Sequence, residues 1–291
     1  MATSAIAPEL HSSYDHCRRL HRRYDPTYYW ATRRLPEDVR PAVHALYAFV
    51  RTADEIVDGP RRPARPEARR AALDAWEGEL ERAATGGASD QPVVSALVDA
   101  ARRHDLPLHE LELYFESMRI DCDRVRMTTW SELECYMLGS AGSVGSILAA
   151  LLDVPGHGRD SFVRLALAFQ LTNFIRDVRQ DWELDRIYLP AEDLRRFGVT
   201  ASEIDRRDPS PGFRGLLALQ VGRARQLFRE SSPAADMVSP GVRRGMLMAR
   251  SVYGSVLDRT ERLNFDVLRN RTDLPPWRLA GALAQGLLAH P

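Results

Sequence analysis

From Leu35-Pro36 onward the apolar positions Val39, Val43, Leu46, Val50, Ala53 and Val57 recur at intervals of four, three, four, three and four. That rhythm fits ~3.6 residues per turn and predicts a helix with one buried seam. The same period governs most of the chain, and no run alternates long enough to read as a strand. Helix starts are also written locally. Thr129-Trp130-Ser131-Glu132 has the form of a capping box, in which hydroxyl and carboxylate satisfy the first turn's N–H groups. Ser210-Pro211 and Ser239-Pro240 each place a capping residue before a proline at the first helical position. The helices after them should bury Phe213, Leu216, Leu217, Leu227 and Phe228, then Met246, Val252, Tyr253 and Val256.

Loops fall at GPRRPARPE after Asp58, at DVPGHGRD near residue 155 and at RRDPSPG near residue 209. None is long enough, or low enough in complexity, to link domains, and no repeat of solenoid length appears. The expectation is one all-helical domain over 1–291, with its core at about 14–270.

Two polar stripes interrupt this apolar pattern. Tyr47, Arg51, Asp54 and Asp58 recur at four, three and four, displaced by one residue from the seam. They therefore line a face about 100° around the same helix. Gln170, Asn173, Asp177 and Asp181 form a second stripe, with Arg176 beside it, after the core-type run SFVRLALAFQLT. Each stripe carries two carboxylates one turn apart. Such pairs suit hard divalent ions, which take oxygen ligands and share them with substrate phosphates. Two such helices face to face would grip a diphosphate between bridging metal ions and arginines. The same pattern also describes two solvated, salt-bridged helix faces.

Composition narrows the chemistry. Forty basic and forty acidic side chains cancel, so no global field points to nucleic acid or to an anionic membrane surface. The chain contains no lysine. That excludes a protein Schiff base and leaves arginine, metal and backbone to hold phosphate. Cys17, Cys122 and Cys135 are odd in number and lack C-x-x-C spacing, which suggests a reducing, cytoplasmic setting without structural zinc. The first residues do not resemble a signal peptide, and the apolar run near 146–154 is far short of the ~20 residues of a membrane span. Peripheral contact with a bilayer stays open.

The motifs together resemble the squalene/phytoene synthase family over residues near 14 to 270. ALYAFVRTADEIVD at 45–58 is similar to that family's first aspartate-rich motif, and QLTNFIRDVRQDWELDRIYLP at 170–190 to the second. YMLGSAGSVG at 136–145 resembles a segment with a catalytic tyrosine and small residues at a close helix contact. The resemblance implies an all-α bundle of the isoprenoid synthase type around a central cavity, and Mg²⁺-dependent ionisation of an allylic prenyl diphosphate. It implies Asp54, Asp58, Asp177 and Asp181 as catalytic metal ligands and Tyr136 as the residue steering the carbocation. It further implies substrate contacts from Arg51, Gln170, Asn173, Arg176 and Arg186, and from Asp25, Thr27, Tyr28 and Tyr47. The expected partner is a second prenyl diphosphate, farnesyl or geranylgeranyl.

The chain departs from the family pattern twice. Arg179 and Gln180 stand before Asp181, where a small or apolar residue and a glutamate are common. Tyr24-Asp25 stands where histidine followed by serine or glycine is usual. An altered polar wall raises a second reading, an electron-rich aromatic acceptor, with Asp25 or Tyr136 receiving the proton. A non-catalytic helical assembly factor would tolerate loss of motif acids, and all four aspartates are present. Chain-elongation enzymes of the same broad fold use lysines, absent here, and cyclases fit R-I-Y-L-P poorly.

Several residues have two readings. Tyr28 and Tyr47 are either core aromatics or site residues. Tyr253 reads as a core residue with a polar tip, and Asp121 as either a site acid or a helix-end salt bridge. Arg61, Arg62 and Arg65 read as a solvated loop rather than a lid. Trp277 and the tail LAGALAQGLL should dock on the core rather than on a bilayer.

Overall fold

A computed structural model describes residues 6–272, the side chain of Thr27 excepted. Trp277 and the LAGALAQGLL tail lie outside the described residues. Helices succeed one another along the chain: α1 His11–Tyr24, α2 Pro26–Thr32, α3 Arg40–Asp58, α4 Pro66–Ala84, α5 Pro92–His104, α6 Leu111–Asp121 and α7 Trp130–Met137. There follow α8 Ser143–Leu151, α9 Arg159–Arg176, α10 Val178–Glu183, α11 Ala191–Arg196, α12 Ala201–Arg206, α13 Pro211–Glu230 and α14 Pro240–Arg262. Among the described residues no helix is long and apolar enough to cross a membrane.

The apolar seam on α3 does what its period predicts. Val39, Val43, Leu46, Ala53 and Val57 are buried, and they lock α3 against α1 and α5. This half of the core is filled by Phe49, Leu73, Leu97 and Phe115. A second half gathers around α9 and α13, where Leu167, Leu171, Phe213, Leu216 and Leu217 are buried. The helix caps agree in part. Thr129 Oγ1 accepts from Glu132 N at 3.1 Å and Ser210 Oγ from Phe213 N at 3.1 Å. The glutamate arm of the box instead accepts from Thr128 N at 2.6 Å, and Ser239 caps with no side-chain bond.

Three local departures position the site. First, α7 and α8 are joined by a π-helical turn, Leu138–Gly142. The wider turn is admitted by close packing: a Cβ on Gly139 would collide with Ser117 Oγ and the Leu113 carbonyl, and one on Gly145 would lie 2.9 Å from Ala166 Cβ. Second, a two-residue parallel ladder pairs β1 Val125–Arg126 with β2 Arg186–Ile187, in the register Val125↔Arg186. The periodicity gave no sign of it, because two residues cannot establish an alternation. Third, the helix expected to run unbroken from Asn173 to Asp181 breaks at Asp177 (φ −102, ψ 12), between α9 and α10.

The two core halves enclose a chamber of about 750 Å³. Here α14 corrects an expectation. Met246, Val252 and Tyr253 are half-buried rather than core, and with Val256 they line the chamber. Periodicity marks which face of a helix turns inward; it does not say whether that face meets side chains or a void.

Candidate active site

The chamber has two ends of opposite character. Leu35, Val144, Leu148, Leu152, Phe162 and Val242 contribute to an apolar lining drawn from four different segments. At the other end stand Asp54 and Asp58 from α3, Asp177 from the α9–α10 break and Asp181 from α10. Arg51, Gln170, Asn173, Arg176 and Arg186 join them in the lining, as do Asp25, Tyr28, Tyr47 and Tyr136. The structure thus brings together every site residue the sequence suggested whose side chain is described; Thr27 lies on α2 with its side chain outside that description.

Arginines hold the two outer carboxylates. Arg186 is almost fully buried and grips Asp58 with both terminal nitrogens, one at 2.9 Å from Oδ2, which ties β2 to α3. Arg176 forks onto its neighbour Asp177 at 2.7 and 2.6 Å. Arg51 pairs with Glu55 and lies 4.5 Å over the Tyr24 ring, and its Nε has no partner. Arginine keeps its charge at any working pH, so this end of the chamber holds fixed cations.

The two inner carboxylates are in a different state. Burial pushes Asp54 up to about 6, against the pull of the Tyr114 hydroxyl 3.0 Å away and of Arg51. Asp181 is pushed well up, by burial first and then by Asp177. A carboxylate that is costly to ionise is one whose charge gains most from a bound cation. Among the described residues no three acidic, histidine or cysteine side chains form a ready-made metal cage. The donors instead come in pairs of oxygen ligands, with the unpartnered amide oxygen of Asn173 beside them. Pairs of carboxylates completed by water and phosphate oxygens are the habit of Mg²⁺, so this donor set fits that ion.

Asp121 lines the chamber and bonds to hydroxyls instead of closing a helix-end salt bridge. It is buried, its Oδ2 accepts the Tyr136 hydroxyl at 2.5 Å and its Oδ1 the Tyr188 hydroxyl at 2.7 Å. Its backbone carbonyl accepts from Arg186 at 2.5 Å. Burial, opposed by Arg186, pushes its carboxyl up to about 6. With both phenolic protons committed to one carboxylate, the two oxygens keep lone pairs for the chamber. Tyr188 stacks on Phe174 at 4.1 Å, and Tyr136 lies 5.3 Å from Tyr188. The result is an electron-rich corner between the polar end and the apolar lining.

Sequence reasoning missed three hydroxyls here. Tyr188 lies inside R-I-Y-L-P, where its neighbours carry no spacing that marks the hydroxyl. Tyr114 shares a face with Met118 and Asp121 at intervals of four and three, and that stripe was the available signal. Tyr253 lines the chamber and interacts with the Asn173 side chain, instead of sitting in the core. Conversely, the departures at 179 and 180 lie off the site. Gln180 is exposed, Arg179 pairs with Glu183 at 3.5 Å, and neither lines the chamber. Asp25 does line it, with Oδ1 capping α2 at Tyr28 N, 2.8 Å away. Arg62 donates to the Asp58 carbonyl at 3.0 Å, and Arg61 and Arg65 are exposed, as a solvated loop requires.

Residues 21–278 match the squalene/phytoene synthase family. A 15-cis-phytoene synthase from Synechococcus elongatus is 32% identical over 298 residues, covering 98% of this chain and 96% of that protein. A phytoene synthase from Thermus thermophilus is 33% identical, with 93% of this chain and 91% of that one covered. Among solved structures, a dehydrosqualene synthase in complex with ligand superposes with a TM-score of 0.87 at 25% identity, covering 96% of each chain. The squalene synthase HpnC from Alicyclobacillus acidocaldarius gives 0.81 at 30% identity, over 89% of this chain and 97% of that one.

Proposed function

This chain belongs to the squalene/phytoene synthase family of prenyltransferases, and from that premise we propose that it joins two geranylgeranyl diphosphates into a phytoene-type hydrocarbon. The observation that carries the reading is the division of one chamber into a carboxylate–arginine end, an electron-rich corner and an apolar lining.

Asp54 with Asp58, and Asp177 with Asp181, would hold Mg²⁺, which when bound neutralises the charge on a departing diphosphate. Arg51, Arg176 and Arg186 supply preorganised positive charge for the same oxygens. Arg176 and Arg186 now spend theirs on Asp177 and Asp58, so a diphosphate competes with those carboxylates for them. Gln170 and Asn173 orient the group by hydrogen bonds, and Asp25 and Thr27 sit where α2 begins. Tyr28 and Tyr47 present ring faces to the allylic cation, for which a dry, aromatic pocket is the suitable medium.

Tyr136 is the group best placed to end the reaction. Loss of a proton from the final cation to the Tyr136 oxygen, as its own proton passes 2.5 Å to Asp121, gives an alkene and a neutral carboxyl. That route needs no reductant. The second acceptor class, an electron-rich aromatic compound, gains nothing from the relatives above; of the departures that suggested it, Arg179 and Gln180 lie off the chamber, and Asp25 lines it while capping α2.

The test is incubation with geranylgeranyl or farnesyl diphosphate and Mg²⁺, followed by extraction of the lipids. The expected product is a phytoene-type hydrocarbon, with geranylgeranyl diphosphate preferred. Diphosphate release without any coupled hydrocarbon or cyclopropyl intermediate overturns the reading.

A further inference from the structure

Behind the tyrosine face of the chamber lies a buried polar pair that the chemistry above does not touch. His21 on α1 is fully buried and His44 on α3 nearly so, with their Nδ1 atoms 2.9 Å apart. Two imidazoles at that distance need one N–H and one lone pair, so the rings hold opposite tautomers. Both are kept neutral. Burial, helped by His44, pushes His21 down to about 3; burial, helped by Arg18 and Arg40, pushes His44 down to about 4.

The pair sits at the hub of an aromatic cluster. His21 lies face to face with Tyr47 at 4.0 Å and 12°, and is 5.0 Å from Tyr28 at a tilt. His44 stacks on Tyr29 at 5.5 Å and 22°. Tyr28 and Tyr47 line the chamber; neither histidine does. His21 Nε2 has no hydrogen-bond partner, which is unfavourable for a desolvated nitrogen. Packing alone gives no reason to place two imidazoles where two phenylalanines would stack as well. A directional link that fixes ring orientation does give one, and a buried polar bond imposes an orientation that apolar contact does not.

We infer that the His21–His44 bond is a positioning element for the prenyl-facing wall, locking the His21 ring so that Tyr47 and Tyr28 present fixed faces to the allylic cation. The inference rests on the prenyl-coupling reading for the identity of that cation. A wall that drifts should leave the diphosphate held while the cation, poorly placed against its partner, is caught by water. Water adds to the cation and gives up a proton to solvent, and a prenyl alcohol departs in place of the hydrocarbon.

The experiment compares His21→Phe, His44→Phe and the double variant. Removing one imidazole strands the other, whereas removing both leaves an apolar stack, so thermal stability should fall in each single variant and return in the double. Hydrocarbon formation should fall about 10-fold in kcat in all three, with KM for geranylgeranyl diphosphate within about twofold and a larger share of prenyl alcohol. Recovery of rate and product ratio together with stability in the double variant overturns the inference, since the pair would then only pack. A wild-type protein inactive on every prenyl diphosphate would strike the prenyl-coupling reading instead. ¹⁵N NMR of histidine-labelled wild-type protein separates the two failures. One protonated and one bare Nδ1 in the coupled pair is expected, and two like tautomers overturn the inference whatever the turnover.

Discussion

On α3, Asp54 and Asp58 sit one turn apart in an unbroken helix, whereas Asp177 stands at the break between α9 and α10 and Asp181 follows on α10. Despite that difference the two walls arrive at the same division of labour. Each contributes one carboxylate held by an arginine, Asp58 by Arg186 and Asp177 by Arg176. Each also contributes one that burial makes reluctant to ionise, Asp54 and Asp181. The arginine-held pair keeps the mouth assembled. The reluctant pair is where a cation gains most by binding, and so where the structure is least content by itself.

Substitutions should separate these classes most sharply. Asp54→Asn and Asp181→Asn should each lower kcat by at least ~10²-fold, on the scale of losing an electrostatic contact to a transition state. Both should raise Tm, because an uncharged amide replaces a carboxylate that burial penalises. Asp58→Asn should also lower kcat, but it should lower Tm, because the buried Arg186 loses its main carboxylate. Calorimetry with steady-state kinetics on the three variants checks this. A common sign of the Tm change would erase the distinction between the two classes.

Next in size is Asp121→Asn. An amide cannot accept both phenolic protons as a carboxylate does, and kcat should fall about 10- to 100-fold, in the range of general acid–base contributions. Tyr188→Phe should cost less, since Tyr136 keeps its own bond to Asp121. Product analysis should show Tyr136 and Asp121 variants releasing diphosphate without hydrocarbon.

The pH dependence is milder. Asp54 and Asp121 rise from 3.8 to about 6, so their burial costs stability above about pH 6, and that cost vanishes as pH falls towards 4. His21 and His44 drop from 6.5 to about 3 and 4, so they cost stability as pH falls below 6.5, with the loss complete only near 3. The two effects oppose one another between pH 6 and 4. Urea denaturation should therefore show wild-type protein keeping more of its stability on acidification from pH 6 to 4 than Asp54→Asn/Asp121→Asn. Activity should decline below about pH 6 as the carboxyls take up protons, and extra Mg²⁺ should move that decline to lower pH. The smallest effect belongs to Gln180→Glu. Restoring the common acid on an exposed position should leave rate and products within about twofold, as for surface changes generally.

The α3 wall was legible because an uninterrupted helix converts sequence spacing directly into a face. The second wall was legible as a set of residues but not as a shape, since no proline or glycine marks the break at Asp177. Asp121 and Tyr114 lay on a readable stripe of α6, but their role depends on Tyr136, Tyr188 and Asp54, which reach them from other elements. Met246, Val252 and Tyr253 have a core pattern and face a void, a distinction that only the packing of other helices creates. The His21–His44 contact joins residues 23 apart in the chain across two helices, and neither position carries a local signal.

The two-residue ladder between β1 and β2 has a consequence for how this protein can vary. Its register sets Arg186 opposite Val125 and leaves the Asp121 carbonyl within that guanidinium's reach. Because successive strand residues point to opposite sides, a slip by one would turn Arg186 away and swing Ile187 towards Asp121 and Asp58. Substitutions at Asp123 and Arg124 leave the pairing intact, whereas one inserted or deleted residue there turns the β1 side chains to the opposite sides and breaks their match to β2. At those two positions the connection should therefore accept changes of letter and almost no change of length.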